Sequence, residues 1–579
     1  MKSTPVLGRG IDRSSGATLR PLILWTVFAL LLGSPGFAQE PSPYRITGVV
    51  LSEVGGAPVV RGHLTASQTE RVRNGRQRVL GDRSDISAET DATGHFNLSV
   101  PSAGSWQLYA SGRGFREQAY DRHESFFSSV VLTAAAPTYD LVFRLEPESA
   151  VTGAVRDEAG EAVRNARVSL YGMTPPEPGL VTGPVAARAN TSTDDRGQYE
   201  FAGLAPGDYT VSLEAEPWYT RNLSGRALPA ANGSSPEPSL DVVYPQTWFP
   251  GVTDRRSAEV VSLHHGETRQ ADFNLTPIRA SHLRLSTSPL QGNGSGSGET
   301  LPQVERVPPD GQPFLNSALR IDQQGQVDVG TPPGLYRVTL HEGGASETSA
   351  FLRVPVGAQP MLDLSAAIPA ADLTIHLEVE GPPPRVQVVF TDVETGASFI
   401  SSDRGGFQRR RHAPTDTNPT ASDPKLAIPP GRYRVTLNGD NQIYLAGMSV
   451  KQTSTVGRVV TLGSGSTTLN LKLSRGRASL HGTTSVGSKA LSGAMVLLVP
   501  ATFGQAESIT VLRRDQTNTD GGFLLENVIP GDYILLAIDN GWTVNWRDPS
   551  TLERYLLHGV PVSLAPNGAM KQDLVALSP

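Results

Sequence analysis

The segment Pro206-Gly207-Asp208-Tyr209-Thr210-Val211 decides the fold that this sequence predicts, because variants of it recur along the chain. The other four copies are Ala103-Gly104-Ser105-Trp106-Gln107-Leu108, Pro333-Gly334-Leu335-Tyr336-Arg337-Val338, Pro430-Gly431-Arg432-Tyr433-Arg434-Val435 and Pro530-Gly531-Asp532-Tyr533-Ile534-Leu535. Their glycines follow one another at intervals of roughly a hundred residues, which is longer than the repeat of a solenoid. The spacing therefore predicts an array of small domains.

Each copy predicts a tight turn that leads into a half-buried strand. Proline fixes φ and glycine permits positive φ, so the pair favours a turn. The aromatic residue and the aliphatic residue two positions later, such as Tyr209 and Val211, share one face of the strand that follows. We expect that face to be buried.

A second motif precedes the first. It consists of Thr, then Asp or Asn, and then a Gly three positions after the Asp or Asn. It reads Thr193-Asp194-Asp195-Arg196-Gly197 in the second repeat, with further copies at 90–94 and 517–521. The third repeat keeps Asp322 and Gly325, and the fourth lacks the motif. Asp and Asn favour such turns, and the alternating apolar residues behind them predict another strand.

Turn signals at intervals of ~8–12 residues predict about seven short strands in each repeat, and hence antiparallel β-sandwiches. We predict an all-β chain of about five sandwiches, of which the third and fourth are divergent. Short links such as Glu146-Pro147-Glu148 favour a semi-rigid rod. The predicted segments are a signal peptide at 1–38 and repeats at 44–147, 148–277, 278–368, 369–474 and 475–579.

Together with a third motif, which opens repeats 2 and 5 around Gly153 and Gly482, these signals resemble the carboxypeptidase regulatory-like domain. The resemblance extends to Val211 in repeat 2 and to Leu535 in repeat 5, and it is partial in the other repeats. The whole array is similar to secreted bacterial proteins that carry several such domains. The resemblance implies seven-stranded immunoglobulin- or transthyretin-like sandwiches, grouped with carbohydrate-binding-like folds, that bind or support rather than catalyse.

The N-terminus predicts an export signal. Basic residues precede the apolar run at 22–32, and Gly36-Phe37-Ala38 provides small residues at a cleavage site. The run is shorter than the ~20 residues of a membrane span. We predict cleavage after Ala38 and a secreted or periplasmic mature chain without a membrane span, with an uncleaved anchor as the alternative.

The composition excludes several classes of function. The chain has no cysteine, which excludes disulfides, thiolate metal sites and cysteine nucleophiles. Its formal net charge is only -6, which argues against nucleic acid as a partner. The 59 glycines and 45 prolines accompany 38% hydrophobic residues, a combination that indicates many turns between short strands rather than disorder.

No set of residues predicts catalysis. His264 and Glu267 have the spacing of two zinc ligands, and His376 could be a third, but all lie in strand or hairpin patterns without a helical peptidase core. The turn residues Asp194 and Asp195 offer too few oxygens for calcium. We therefore predict no enzyme activity, no catalytic residue, no metal and no cofactor.

Aromatic residues in loops are the remaining candidates for a binding site. Exposed aromatic rings with polar surroundings stack on sugars, whereas the alternative is that these rings cap a sandwich or pack between repeats. The candidates for carbohydrate binding are Trp218, Tyr219, Trp248, Trp542, Trp546 and Tyr555.

Two functions remain open from the sequence. The first is an exported, non-catalytic array that binds or spaces at the cell envelope, with another envelope protein as its partner. The second is a carbohydrate-binding protein that holds polysaccharide for a separate hydrolase. Solvent-facing, coplanar tryptophans would favour the second.

Overall fold

A computed structural model describes residues 43–71, 77–79, 86–173, 187–219, 242–286, 303–307, 314–315, 319–321, 326–342, 346–355, 361–363, 367–382, 384–401, 423–450, 455–503 and 511–579. The predicted signal peptide lies outside these residues. The all-β prediction is confirmed, because the described residues form two-sheet units built of short strands and contain one α-helix of eight residues.

Repeat 1 consists of a three-stranded sheet and a six-stranded sheet. Short edge strands bring its total above the predicted seven. The strands are β1 (Arg45–Ser52), β2 (His63–Arg71), β3 (Gln77–Val79), β4 (Ile86–Glu89), β5 (His95–Ser99), β6 (Gly104–Gly112), β7 (Phe115–Ala119), β8 (Val130–Leu132) and β9 (Thr138–Leu145).

Repeat 2 has the same two layers and an additional two-stranded pairing with the start of repeat 3. Its strands are β10 (Ser149–Arg156), β11 (Arg167–Gly172), β12 (Ala187–Ser192), β13 (Gln198–Leu204), β14 (Gly207–Glu214), β15 (Val242–Val243), β16 (Thr247–Trp248), β17 (Val261–Leu263), β18 (Thr268–Gln270) and β19 (Phe273–Asn274).

Repeats 3 and 4 each have a four-stranded and a five-stranded sheet. Repeat 3 contains β20 (Ile278–Arg279), β21 (Ser281–Ser286), β22 (Gln303–Arg306), β23 (Phe314–Leu315), β24 (Leu319–Ile321), β25 (Gln326–Thr331), β26 (Gly334–Glu342), β27 (Ser346–Val354), β28 (Met361–Asp363) and β29 (Ile368–Pro369). Repeat 4 contains β30 (Ala371–Glu378), β31 (Val386–Asp392), β32 (Ser398–Ile400), β33 (Lys425–Ile428), β34 (Gly431–Gly439), β35 (Ile443–Val450), β36 (Thr455–Val456), β37 (Val459–Leu462) and β38 (Gly465–Arg475).

Repeat 5 places the helix α1 (Pro549–Leu556) between two of its strands. Asp548 caps this helix by accepting a hydrogen bond from the Ser550 backbone, and Pro549 occupies the first turn, where a missing N–H costs nothing. The strands are β39 (Ala478–Val486), β40 (Lys489–Ala490), β41 (Met495–Pro500), β42 (Arg513–Gln516), β43 (Gly522–Val528), β44 (Gly531–Ile538), β45 (Val560–Leu564), β46 (Ala569–Lys571) and β47 (Leu574–Val575).

All five repeats share one strand arrangement. The opening strand of each, as in β1, pairs antiparallel with the strand that directly precedes the Pro-Gly-x-Tyr strand, such as β5, and parallel with the closing strand, such as β9. The strand of the Pro-Gly-x-Tyr motif lies in the other sheet, as β14 does beside β11. The sequence predicted antiparallel pairing only. The parallel pair arises because the chain changes sheets before it returns to its opening strand.

The aromatic residue of the repeated motif is buried and its polar atom is satisfied locally. The hydroxyl of Tyr209 donates a 2.7 Å hydrogen bond to the Ala205 carbonyl, four residues earlier. Tyr336, Tyr433 and Tyr533 make the same bond to Pro332, Pro429 and Ile529, and the indole of Trp106 makes it to Ser102. A buried hydroxyl without a partner would be destabilising, so this bond lets tyrosine occupy the core.

The glycine of the opening strand allows two strands to approach closely. A Cβ atom at Gly153 would lie 2.1 Å from the Ala271 carbonyl oxygen and 2.7 Å from the Tyr199 ring. Gly48 and Gly482 meet the closing strands of repeats 1 and 5 in the same way. In repeats 1, 2 and 5 this close approach leaves no room for a side chain at the glycine, whereas the opening strands of repeats 3 and 4 form the same parallel pair without a glycine.

The threonine of the second motif ties the Asp turn to the neighbouring loop. The buried Thr193 hydroxyl donates to the Val163 carbonyl at 2.6 Å and accepts from the Ala166 amide at 2.9 Å. Asp194 caps its own turn by accepting from the amides of Arg196 and Gln198. Thr90 and Thr517 make the equivalent bonds in repeats 1 and 5.

Neighbouring repeats contact each other at every junction. Glu148 donates its amide to the Gly114 carbonyl between repeats 1 and 2, and Arg306 forms a 2.8 Å ion pair with Glu214 between repeats 2 and 3. Phe351 of repeat 3 belongs to the hydrophobic core of repeat 4. Arg477 of repeat 5 donates to the Ile443 carbonyl of repeat 4.

Repeat 5 also contacts repeat 1, through the Arg514–Glu124 ion pair among other interactions. The contacts between repeats therefore run from the first to the fifth and back to the first. The prediction of a semi-rigid rod is wrong, because a rod keeps its two ends apart. The closing contacts come from residues that are distant in the sequence.

Candidate interaction sites at the loop aromatics

The predicted aromatic residues occupy three different environments. Trp218 is 69% exposed, whereas Trp248 and Tyr555 are only 2% and 4% exposed. Trp542 and Trp546 are partly buried. The structure thus does not bring the six residues together into one sugar-binding surface.

Trp218 and Tyr219 form a small cluster with Glu158 on repeat 2. The two rings meet edge to face, with centroids 5.8 Å apart. The Tyr219 and Tyr244 hydroxyls donate to the two oxygens of Glu158 at 2.7 and 2.6 Å. Burial opposes ionisation of Glu158, but these hydrogen bonds outweigh it and lower the pKa of the carboxyl.

Trp248 and Tyr555 contribute to packing. The Trp248 ring lies 5.1 Å from the ring of Tyr171, in a small satellite cluster of repeat 2. Tyr555 lies on α1 and packs in the second hydrophobic cluster of repeat 5, beside Leu552. Neither ring presents an open face to a ligand.

Trp542 joins repeat 5 to repeat 1. Its ring is stacked on His123, with centroids 5.1 Å apart and planes 6° from parallel, and lies 5.5 Å from Phe126. Its indole N–H donates to the Gly493 carbonyl at 2.8 Å. Trp542 therefore packs between repeats, which was the alternative to sugar binding. Its partner is repeat 1, which lies at the other end of the sequence.

Arg514 is the charged centre of the same junction. Its guanidinium carbon lies 4.0 Å from the centroid of Trp546 and 5.1 Å from that of Phe126, within cation–π range. Both terminal nitrogens donate to the Glu124 carboxylate, at 3.0 and 2.6 Å. These bonds lower the pKa of Glu124 below its ordinary value, against the opposing effect of burial.

The Asn turn of repeat 5 is hydrogen-bonded to the backbone of residues 129–131 of repeat 1, by two of its side chains and one of its amides. The Ser129 amide donates to Asn518 Oδ1 at 3.0 Å, and the Thr519 amide donates to the Ser129 carbonyl at 3.1 Å. The Val131 amide donates to Thr519 Oγ1 at 2.9 Å. In repeat 2 the equivalent side chain, Asp194, caps its own turn instead.

Gln516 fills the space between the turn and the aromatic contacts. It is buried, and its amide nitrogen donates to the Asp121 carbonyl and to the Ser128 hydroxyl. The Ser128 hydroxyl in turn donates to Asp121 and lies 2.8 Å from the Thr517 carbonyl. Hydrogen bonds thus connect the segment 516–519 of repeat 5 to Asp121, Ser128, Ser129 and Val131 of repeat 1. We call these residues, 121–131 with 514–519 and 542–546, the closing junction.

The residues considered for metal binding are engaged within the fold. The imidazole of His264 lies 2.8 Å from Glu267 Oε2, in an exposed hairpin, and His376 pairs with Asp423 in another repeat. In the part of the chain that the structure describes, no three His, Cys, Asp or Glu side chains are grouped as metal ligands. The same part contains no helix with the length and apolar content that crossing a bilayer requires.

Trp542 and Trp546 are among the predicted residues, but no pattern in the sequence indicates their partners in repeat 1. His123, Glu124 and Phe126 lie in a loop without a motif. One signal was present: Asn518 replaces the aspartate of the other turns, so its side chain differs at the position that contacts repeat 1.

Residues 150–240 match the family model of the carboxypeptidase regulatory-like domain. This match confirms the predicted resemblance, in the repeat where the motifs were most complete. No curated protein sequence is significantly similar to this chain.

Solved structures of three bacterial proteins resemble parts of the chain. The TIE protein of Bacillus anthracis is 9% identical over 90% of this chain and 69% of its own, with a TM-score of 0.15. GBS52, the minor pilin of Streptococcus agalactiae, is 12% identical over 43% of this chain and 100% of its own, with a TM-score of 0.21. BcpA, the major pilin subunit of Bacillus cereus, is 9% identical over 74% and 99%, with a TM-score of 0.14.

Proposed function

We propose that the chain is an exported, non-catalytic scaffold of the bacterial cell envelope whose terminal repeats close on each other. The observation that carries this proposal is the closing junction. A junction of ion pair, cation–π contact and hydrogen bonds to the Asn518 turn fixes how the ends of the chain present their remaining surfaces. Such a body offers partners several rigid sandwich edges in one fixed arrangement.

The use of its polar residues supports a non-catalytic role. Asp91 and Asp194 cap their own turns, and His264 is bound to Glu267 within one hairpin. Catalysis needs a nucleophile and a base that converge on a pocket, and these residues instead stabilise local turns. The regulatory-like domain at 150–240 is consistent with binding or support.

Export is proposed from the N-terminal sequence. We expect the mature protein to begin at Gln39 and to be found in the periplasm or outside the cell. Cell fractionation followed by mass spectrometry of the N-terminus tests this, with a Leu30→Arg variant as the control that breaks the apolar run. An intact N-terminus on cytoplasmic protein would refute the proposal.

The scaffold role is tested on intact cells. A membrane-impermeant cross-linker should join the exported chain to a reproducible envelope partner. The Glu124→Arg variant, which opens the closing junction, should change that pattern, whereas Ser563→Ala on a distant edge strand should not. Identical patterns for all three chains would contradict a function that depends on closure.

Carbohydrate binding is a second candidate, supported by the exposed Trp218 ring beside Tyr219 and the Glu158 carboxylate. An aromatic face with adjacent hydrogen-bonding groups suits a sugar. Native electrophoresis in polysaccharide-containing gels tests it. Trp218→Ala should abolish retardation while Trp248→Phe, a buried change, retains it. Equal mobility of the wild-type chain with and without polysaccharide would remove this candidate.

A further inference from the structure

We propose that the closing junction also forms between two copies of the chain, so that repeat 5 of one copy docks on repeat 1 of another. The partner is therefore a second copy of this chain, and the interaction surface is the one that otherwise closes a single chain. This inference goes beyond the scaffold role and does not depend on export.

The junction joins two different surfaces. Repeat 1 contributes a loop with Glu124, Phe126 and Ser129, and repeat 5 contributes Arg514 and Trp542 from two other segments. A contact between unlike surfaces can close within one chain, close between two exchanged chains or continue head to tail. Each copy carries one surface of each kind, so pairing between copies needs no new contact.

The core clusters of repeats 1 and 5 share no residue. The main cluster of repeat 1 contains only residues between Tyr44 and Leu145, and the clusters of repeat 5 contain only residues after position 477. The junction between repeats 3 and 4 is different, since Phe351 is fully buried in the core of the next repeat. Separation of repeats 1 and 5 therefore divides no core cluster between them.

The chemistry of the junction suits reversible pairing. Its contacts include a bidentate Arg514–Glu124 ion pair, in which the Glu124 side chain is 46% exposed, and hydrogen bonds of the Ser129 amide and carbonyl to the Asn518 turn. The stacked Trp542 gives the pairing specificity, because tryptophan and arginine are the residues that dominate binding energy at interfaces. The two ends of an open chain can therefore recognise each other.

Concentration decides between the two forms. The chain holds its own repeat 5 near its own repeat 1 at an effective concentration on the order of millimolar. The closed single chain therefore dominates in dilute solution. Exchange between copies increases as the protein concentration approaches that level, or where copies are crowded on a surface.

Single cysteines test exchange, because the chain has no cysteine of its own. Ser129 and Thr519 are joined by a backbone hydrogen bond, and the Ser129 hydroxyl finds no hydrogen-bond partner among the described residues. Ser129→Cys chains and Thr519→Cys chains, of different tag lengths, are mixed and oxidised. Neither variant alone can form the 129–519 disulfide. The matched control replaces Thr519→Cys with Ser563→Cys, at the opposite edge of the sheet that contains Arg514.

We expect a mixed disulfide whose yield rises with concentration and exceeds that of the control pair at least fivefold at 0.5 mM. Equal yields for the two pairs at every concentration would overturn the proposal. The chain with both Ser129→Cys and Thr519→Cys must close on itself in dilute solution, and its failure to do so would also overturn it, because the junction itself would be absent.

A charge exchange provides a second readout without cysteine. Glu124→Arg and Arg514→Glu each place like charges across the junction, so each variant alone should remain an open monomer. When the two variants are mixed, the altered residue of each faces an opposite charge on the other chain. Light scattering should then show a 1:1 complex. The absence of a complex from two variants that retain the wild-type circular dichroism spectrum would refute exchange.

Discussion

The imidazole of His123 lies parallel to the indole of Trp542, with ring centroids 5.1 Å apart and planes within 6° of each other. One residue belongs to the first repeat and the other to the last. The indole N–H is held by the Gly493 carbonyl, so the ring is fixed on repeat 5 before it meets repeat 1. The ring is therefore pre-organised as the anchor of the closing junction.

We predict that Trp542→Ala weakens closure by about 2 kcal/mol, the loss expected for a central interface tryptophan. The measurement is the rate of disulfide formation in dilute chains that carry Ser129→Cys and Thr519→Cys, which should fall at least tenfold. Trp218→Ala is the control, because its exposed ring lies on repeat 2. An unchanged rate in Trp542→Ala would show that the ring contact contributes little.

Closure should also weaken in acid. The bonds from Arg514 keep the pKa of Glu124 below its ordinary value of 4.5 in the closed chain. A carboxyl with a lowered pKa stabilises the closed form above its ordinary pKa, and this contribution is lost as the pH falls through the lowered value. Closure should therefore decrease below about pH 4.5.

Fluorescence energy transfer between dyes on repeats 1 and 5 measures this effect. Glu124→Gln keeps the shape of the side chain but cannot ionise, so its closure should be weaker at pH 7 and should lack this part of the acid response. If the wild-type chain and Glu124→Gln lose energy transfer in parallel between pH 6 and 3, Glu124 is not the group responsible.

The fold could be predicted because its determinants are local and repeated. Pro206-Gly207 and the turn after Thr193 each specify a strand boundary within a few residues, and the same pattern returns in other repeats. The parallel pairing of opening and closing strands was not predicted. It joins segments that are distant in the sequence, as where Gly153 approaches the Ala271 carbonyl in repeat 2.

The closing junction could not be predicted, because its energy comes from pairs of distant residues. Neither Arg514 nor Glu124 has a neighbour in the sequence that indicates an ion pair, and loop charges are usually solvated. The loop position of Trp542 predicted either a sugar contact or packing between repeats. The fold places repeat 1 against this ring, so the ring packs between repeats 5 and 1.

The repeated tyrosine should contribute through its hydroxyl as well as its ring. Tyr209→Phe removes the hydrogen bond to the Ala205 carbonyl, and we predict a loss of about 1 kcal/mol in the stability of repeat 2. Tyr209→Ala also removes the ring and should cost about 3–5 kcal/mol. Hydrogen exchange of the amides in β14 measures both, and equal protection in Tyr209→Phe and the wild-type chain would show that the hydroxyl bond is dispensable.

Glycine at the opening strand should be irreplaceable in repeat 2. In Gly153→Ala the new methyl group would lie 2.1 Å from the Ala271 carbonyl oxygen, so the backbone of one strand must move. We predict a loss of about 3 kcal/mol, at the upper end of the cost of overpacking, because backbone cannot rotate away as a side chain can. Gly463→Ala is the matched control, since a Cβ atom there would meet nothing within 4 Å. Hydrogen exchange in β10 should be accelerated by Gly153→Ala and unaffected by Gly463→Ala. Equal exchange in the two variants would mean that the parallel pair of β10 with β18 and β19 tolerates a side chain, and that close approach is not what selects glycine.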